Sequence, residues 1–228
     1  MHCFRCHVDT PADAETCEIC GGQLDTDPDR YFRAGMDAML AGEIERSSRL
    51  LEDCVRLNPR HLSGRYNLGL VLCMDDRCNE AMQQYMAVME LEPSYPGIYT
   101  ALGQAAFGDY LSHLEQAEAK RKAMFQLLKK AIEQDPSDVD ACYSLANAYL
   151  AIGAAQEALP WLQKAVDAQP DSSAIYYALG KAYRILGRDS EAVAMARLAM
   201  ELSCADDPLV DEIKMLVAEC EQVGDLLQ

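Results

Sequence analysis

Residues 62–93 read LSGRYNLGLVLCMDDRCNEAMQQYMAVMELEP. The closing proline of this stretch, Pro93, has counterparts at Pro59, Pro136 and Pro170. The first and last gaps between these prolines are 34 residues, and the middle one is 43, or 34 plus nine. A constant period of 34 is the length of one helix–turn–helix unit, which buries its apolar face only by stacking on its neighbours. Counting back from each proline starts units at residues 28, 62, 139 and, by extension, 173. Position 8 of the unit, where helices must approach closely, holds Gly35, Gly69, Ala146 and Gly180. Position 20, where the second helix crosses the first, holds Ser47, Ala81, Ala158 and Ala192, and position 27 holds Cys54, Val88, Ala165 and Ala199. The larger Leu68, Leu145 and Leu179 fill position 7. Asp27-Pro28 opens the array as an N-cap followed by proline at the first helical position.

The third unit departs from the period. Its first helix aligns through Tyr99, Leu102, Gly103 and Ala106, and its second aligns backward from Pro136 through Ala131, Leu128 and Met124. Nine extra residues lie between them, within 109–122, with no proline and no glycine after Gly108. Glu118 and Lys122 are four apart in the order that stabilises a helix. The insertion is therefore predicted to be helical, giving one helix from about Ser112 to Gln134, about two turns longer than its siblings. It carries Lys120, Arg121 and Lys122, with Lys129 and Lys130 just beyond, the one dense basic patch in an acidic chain. That patch reads either as a solvated helical face or as a docking spur for an acidic surface. The fifth unit ends at Cys204 where proline would stand, and Asp207-Pro208 opens a last helix with Val210, Ile213, Val217 and Cys220 on one face. Lys214 occupies position 8 there and is too large for a close partner, so residues 207–228 are expected to cap the array.

On these positions the chain resembles the tetratricopeptide-repeat family, with five units over residues 28–206. The resemblance implies an all-α solenoid of helix–turn–helix repeats that acts as a non-catalytic scaffold for protein–protein interaction. It also implies a concave groove lined by the first helix of each repeat. The lining positions hold Tyr66, Asn67 and Leu70 in the second repeat, and Thr100 and Gln104 in the third. They hold Tyr143 and Asn147 in the fourth, then Tyr177, Lys181 and Arg184 in the fifth. Tyrosine offers apolar area with a polar tip, and amide side chains donate to and accept from a peptide backbone, so this set suits an extended peptide. Members of the family that clasp a C-terminal carboxylate use a set of Lys, Asn and Arg of which only Asn67 is present, so a chaperone-tail adaptor is disfavoured.

The first 24 residues are of another kind. Cys3-x2-Cys6 and Cys17-x2-Cys20 are followed by Gly21-Gly22, and large apolar residues are almost confined to Phe4, Val8, Ile19 and Leu24. Each Cys-x2-Cys turn aims two sulfurs at one point, and two such turns complete a tetrahedral thiolate shell. So small a segment cannot fold by burial alone, and metal binding must supply the folding free energy. Cys3, Cys6, Cys17 and Cys20 are thus candidate ligands of one zinc ion in a module that resembles a short zinc ribbon. Iron in a rubredoxin-like site uses the same four thiolates and would make the protein a metal- or redox-responsive regulator instead. A four-thiolate shell leaves no open position, so the zinc reading is structural rather than catalytic. Residues 25–27 read as a polar linker, and the module and the array as separate cores.

Composition narrows the remaining classes. Leu, Ala and Met are plentiful, aromatic residues make up 7%, and no alternating β-branched run occurs, which is the signature of a mostly helical chain. The net charge is −17, with 37 acidic against 20 basic residues, a surface that repels nucleic-acid backbones. No signal-peptide core and no 18-residue apolar run is present, so a cytoplasmic location without membrane insertion is expected. In that compartment ten cysteines argue for metal and buried thiols rather than disulfides. Four histidines, none beside an evident nucleophile, and no glycine-rich phosphate loop give no catalytic constellation. The expected partner is a protein or peptide, and self-association is left open.

Overall fold

The computed structural model describes residues 1–11, 14–112, 117–204 and 207–226. Among them are eleven helices and no extended strand, only two isolated β-bridges near the N-terminus. The helices are α1 (Pro28–Leu40), α2 (Ile44–Leu57), α3 (Leu62–Met74), α4 (Cys78–Leu91), α5 (Ile98–Ser112), α6 (Ala117–Gln134), α7 (Val139–Ala151), α8 (Ala155–Ala168), α9 (Ser173–Ile185), α10 (Asp189–Leu202) and α11 (Leu209–Leu226). They fall into two compact units, Met1–Arg121 and Lys122–Gln228.

Local chemistry sets the boundaries. Asp27 caps α1 by accepting from the Asp29 N–H at 3.0 Å, with Pro28 at the first position, and Asp138 caps α7 by accepting from Ala141 N–H at 2.8 Å. Asn58, Glu92 and Gln169 leave the helical region immediately before Pro59, Pro93 and Pro170. Proline clashes with a helical predecessor, which is why each second helix stops there. Position 15 ends each first helix. It holds Gly42 (φ 75°), Asp76 (φ 57°), Gly153 (φ 76°) and Gly187 (φ 70°), all left-handed.

The third unit has Tyr110 at that position, a bulky residue that disfavours the left-handed region, and α5 runs past it to Ser112. α5 has 15 residues against 13 in α1, α3, α7 and α9, and α6 has 18 against 14 in α2, α4, α8 and α10. Among the described residues the third unit is thus longer than its siblings in both of its helices. Residues 113–116 of the helix expected from about Ser112 to Gln134 lie outside the described residues.

In the first unit α1 packs on α2, α2 on α3, α3 on α4 and α4 on α5. Large side chains fill this core: Tyr31, Leu50, Leu51, Leu68, Val71, Tyr85 and Ile98 are all but inaccessible. In the second unit α7 packs on α8, α8 on α9, α9 on α10 and α10 on α11. Here the crossings are lined by Ala141, Ala146, Ala158, Ala165, Ala182, Ala192, Ala196 and Ala199, all buried. α11 buries Ile213, Leu216 and Cys220 against α10 and leaves Lys214 exposed, as a helix that ends a stack must. No described helix is long and apolar enough to cross a membrane.

Candidate metal centre and helix faces

Residues 3–8 and 17–22 fold into the same turn. In the first, Cys3 N–H donates to Val8 O at 2.9 Å and His7 N–H to Cys3 O at 2.8 Å. In the second, Cys17 N–H donates to Gly22 O and Gly21 N–H to Cys17 O, both at 2.8 Å. The matching fourth residues after each leading cysteine, His7 and Gly21, are left-handed at φ 58° and 64°. The bridges His2–Asp9 and Thr16–Gln23 close each turn at its base.

The two turns bring the four sulfurs within 4.8 Å of one another. Cys3 Sγ is 3.7 Å from Cys20 Sγ, and Cys6 Sγ is 3.4 Å from Cys17 Sγ. A metal about 2.3 Å from each sulfur of a tetrahedron separates the sulfurs by about 3.8 Å, so the residues present fit such an ion. Backbone N–H groups of Cys6, then Arg5, hold the Cys3 thiol down to about 6, and the Cys20 N–H lowers Cys17. Burial pushes Cys6 up to about 12. Each turn thus prepares its leading sulfur as a thiolate, the form that ligates metal. Zinc and iron both accept this donor set.

The module is not a free appendage. Tyr31 OH donates to His2 O at 3.0 Å from α1, and His2 N–H donates to Asp53 Oδ2 at 3.0 Å on α2. Arg49 of α2 pairs with Asp9 at 2.9 Å. The Phe4 ring lies 4.9 Å from that of Tyr31, with the Arg30 guanidinium 4.3 Å from its centroid. Burial, then Asp53, pushes the Tyr31 phenol up to about 12. Met1 packs against both the apolar cluster of the module and that of α1 and α2, so the cores expected to be separate are joined. These contacts pair residues up to 51 apart, and no local pattern announces Asp53, Arg49 or Tyr31 as their partners.

The expected groove residues are described within each unit. On α3, Tyr66 is half-buried with its ring 5.5 Å from Tyr85 and 5.3 Å from Tyr95. Asn67 is also half-buried and donates through Nδ2 to Ser63 O at 2.8 Å, and Leu70 is half-buried beside it. On α5, Thr100 is buried and Gln104 exposed. In the second unit, Tyr143 and Asn147 on α7 are half-buried. On α9, Tyr177, Lys181 and Arg184 line a cleft of about 180 Å³ with Glu212, Met215, Leu216 and Glu219 of α11. Arg184 pairs with Glu219 at 3.0 Å, and Lys181 stands 5.4 Å from the Tyr177 centroid. The sequence does not announce the acidic partners on α11, because reading that helix for its buried stripe says nothing about its other side.

Of the basic insertion, Lys120 pairs with the buried Asp109 at 2.7 Å, while Arg121 and Lys122 are exposed. Five cysteines outside the module are held toward the thiol form. Burial raises Cys54 and Cys73 to about 12 and raises Cys78, Cys142 and Cys220 as well.

Family models of the tetratricopeptide repeat match residues 114–181 and 173–203. No curated protein matches the chain. Among solved structures, the thermophilic TPR protein TTC0263 of Thermus thermophilus is 22% identical, with a TM-score of 0.70 over 86% of this chain and 99% of that one. MamA from Desulfovibrio magneticus RS-1 is 20% identical, with a TM-score of 0.63 over 80% and 98%. YrrB, a TPR protein with an unusual peptide-binding site, is 18% identical, with a TM-score of 0.57 over 86% and 93%. These likenesses carry the fold: an all-α tetratricopeptide-repeat solenoid.

Proposed function

We propose that this tetratricopeptide-repeat solenoid is a non-catalytic scaffold that holds a peptide segment of a protein partner on the first helices of its repeats. A four-thiolate zinc module at its N-terminus completes the first repeat. The observation that supports the reading best is the recurrence of half-buried Tyr66, Tyr143 and Tyr177 at one repeat position on α3, α7 and α9. Asn67 and Asn147 follow on the same helices, and Asn67 spends only one amide hydrogen on Ser63 O, which leaves its carbonyl oxygen for a peptide N–H. Half-exposed aromatic and amide groups on rigid helices lose little entropy when they take up a ligand.

The test is to isolate the partner from the native cell and measure its affinity for the wild type and for Asn67→Ala combined with Asn147→Ala. Leaving a desolvated peptide group unpaired costs about 1–3 kcal/mol per site, so the double variant should bind at least tenfold more weakly. Equal affinity with a folded double variant would take the interaction off these faces. Elemental analysis belongs beside it. A colourless protein with one zinc supports the scaffold reading, whereas red, redox-active iron in the same thiolates would make the module a redox-responsive regulator.

A further inference from the structure

The first unit carries an apolar face that opens to solvent at one end. On α1, Phe32, Met36 and Leu40 recur at four-residue intervals, and on α3 Tyr66, Leu70 and Met74 do the same at matching repeat positions. That spacing puts each trio on one side of its helix, and α1 touches α3. Burial fades along both stripes. Phe32, Met36, Tyr66 and Leu70 are half-buried, whereas Leu40 is 82% exposed and Met74 60%. Single exposed apolar side chains are ordinary, but two complete stripes on neighbouring helices form a patch. The matching stripes of the second unit are interrupted by polar side chains, as Tyr143-Asn147-Ala151 on α7 and Tyr177-Lys181-Ile185 on α9.

The rim selects the charge of what can lie there. Both helices end where their stripes are most exposed, and a helix C-terminus carries about half a negative charge on its unpaired carbonyls. Neither α1 nor α3 has a basic residue in its last turn to offset it. Asp37 stands one turn before Leu40, and Asp76 follows Met74 by two residues. Both are exposed and stand in no ion pair among the described residues. The basic residues closest in sequence are engaged: Arg33 with Asp27 at 3.9 Å, Arg46 with Glu43 at 2.7 Å, and Arg77 with Asp75 and Glu80. An acidic segment or an anionic lipid surface would be repelled, whereas Lys or Arg set among apolar side chains is attracted on both counts. Methionine at two of the six positions lets the patch adjust to the side chain it receives.

We propose that this face of α1 and α3 takes a segment of a protein partner in which apolar side chains are interspersed with Lys or Arg. The proposal rests on the scaffold reading and names the chemistry of the ligand for the first unit. Each stripe is about 12 Å long, a length spanned by about four extended residues or two helical turns. The apolar side chains of the segment cover Leu40 and Met74, and its cations meet Asp37, Asp76 and the two helix ends.

Selection from a random peptide library on the full-length protein tests this, with Leu40→Gln combined with Met74→Gln as the counter-target. Both side chains are largely exposed, so the double variant should fold as the wild type does. Peptides enriched on the wild type over the variant should combine Leu, Ile, Met or Phe with Lys or Arg. Calorimetry with one such peptide should show at least tenfold weaker binding to the variant. Changing the peptide's Lys and Arg to Glu should weaken it as much, and added salt should weaken the original. Acidic peptides among those enriched, or no enrichment over the folded variant, would overturn the proposal. Self-association that the variant abolishes would seat a second copy of the chain here and overturn it too. With the partner isolated from the native cell, loss of affinity in Asn67→Ala/Asn147→Ala but none in Leu40→Gln/Met74→Gln would sink this proposal alone. Full affinity in both would sink the scaffold reading with it.

Discussion

Gly69 sits where α3 meets α4, and the partner side chain explains the residue. A Cβ there would lie 2.5 Å from Tyr85 Cε1 and 2.7 Å from Cζ, and the ring is 1% exposed with no room to withdraw. At Gly35 the same atom would meet Leu51 Cγ at 2.8 Å. Position 8 of α7 is Ala146, buried in an alanine-lined crossing. The small size of position 8 was readable in the repeat, but the need for glycine in particular comes from the bulk of the residue opposite. Gly69→Ala should therefore overpack the crossing and cost about 1–3 kcal/mol. Urea unfolding would register this as a lower midpoint; an unchanged midpoint would mean that α3 and α4 separate without penalty.

At the scale of elements, the third repeat shows how one residue redirects a helix. Without a left-handed residue at position 15, α5 continues through Asp109 and Tyr110, both buried. Asp109 is 5% exposed, and Lys120 at the start of α6 reaches it at 2.7 Å. A charge-assisted hydrogen bond to a buried carboxylate contributes about 1.5–3 kcal/mol, more than an exposed surface pair does. Lys120→Ala should lower the stability of the first unit by about that amount, whereas Lys122→Ala, at an exposed position, should change it by less than about 0.5 kcal/mol. Thermal unfolding of the two variants separates these outcomes. The basic run was visible as a patch in the sequence. Lys120 differs from its neighbours through a contact 11 residues away, which no charge count contains.

At the scale of the folded unit, the metal module and the first repeat should stand or fall together. If the four thiolates hold the proposed metal, removing it, or replacing Cys6 with serine, should take away the free energy that folds residues 1–24. Because Met1 packs in both clusters and Phe4 stacks on Tyr31, the loss should spread to α1 and α2 rather than stop at residue 24. Hydrogen exchange should show lost protection over residues 1–24 and weakened protection in α1 and α2, with α9 and α10 unchanged. Full protection in α1 and α2 after chelation would show that the docking contacts contribute nothing. Acidic side chains dominate the surface, yet the docking contacts use Arg30, Arg49 and Asp53, so specific pairs and not net charge hold the module in place.

The sequence alone determined whatever repeats or is local. The 34-residue spacing, the prolines that end second helices, the small residues at crossings and the paired Cys-x2-Cys turns each act through neighbours a few positions away or through their own image one unit on. Their consequences follow from backbone sterics and ligand geometry. The tertiary structure decided what depends on residues distant in the chain. It chose glycine over alanine opposite Tyr85, set Glu219 against Arg184, gave Lys120 to Asp109, and brought His2 and Asp9 to Arg49. These pairings appear once each, with no period to reveal them. Burial gives them their strength, because a polar group withdrawn from water must find its partner within the fold.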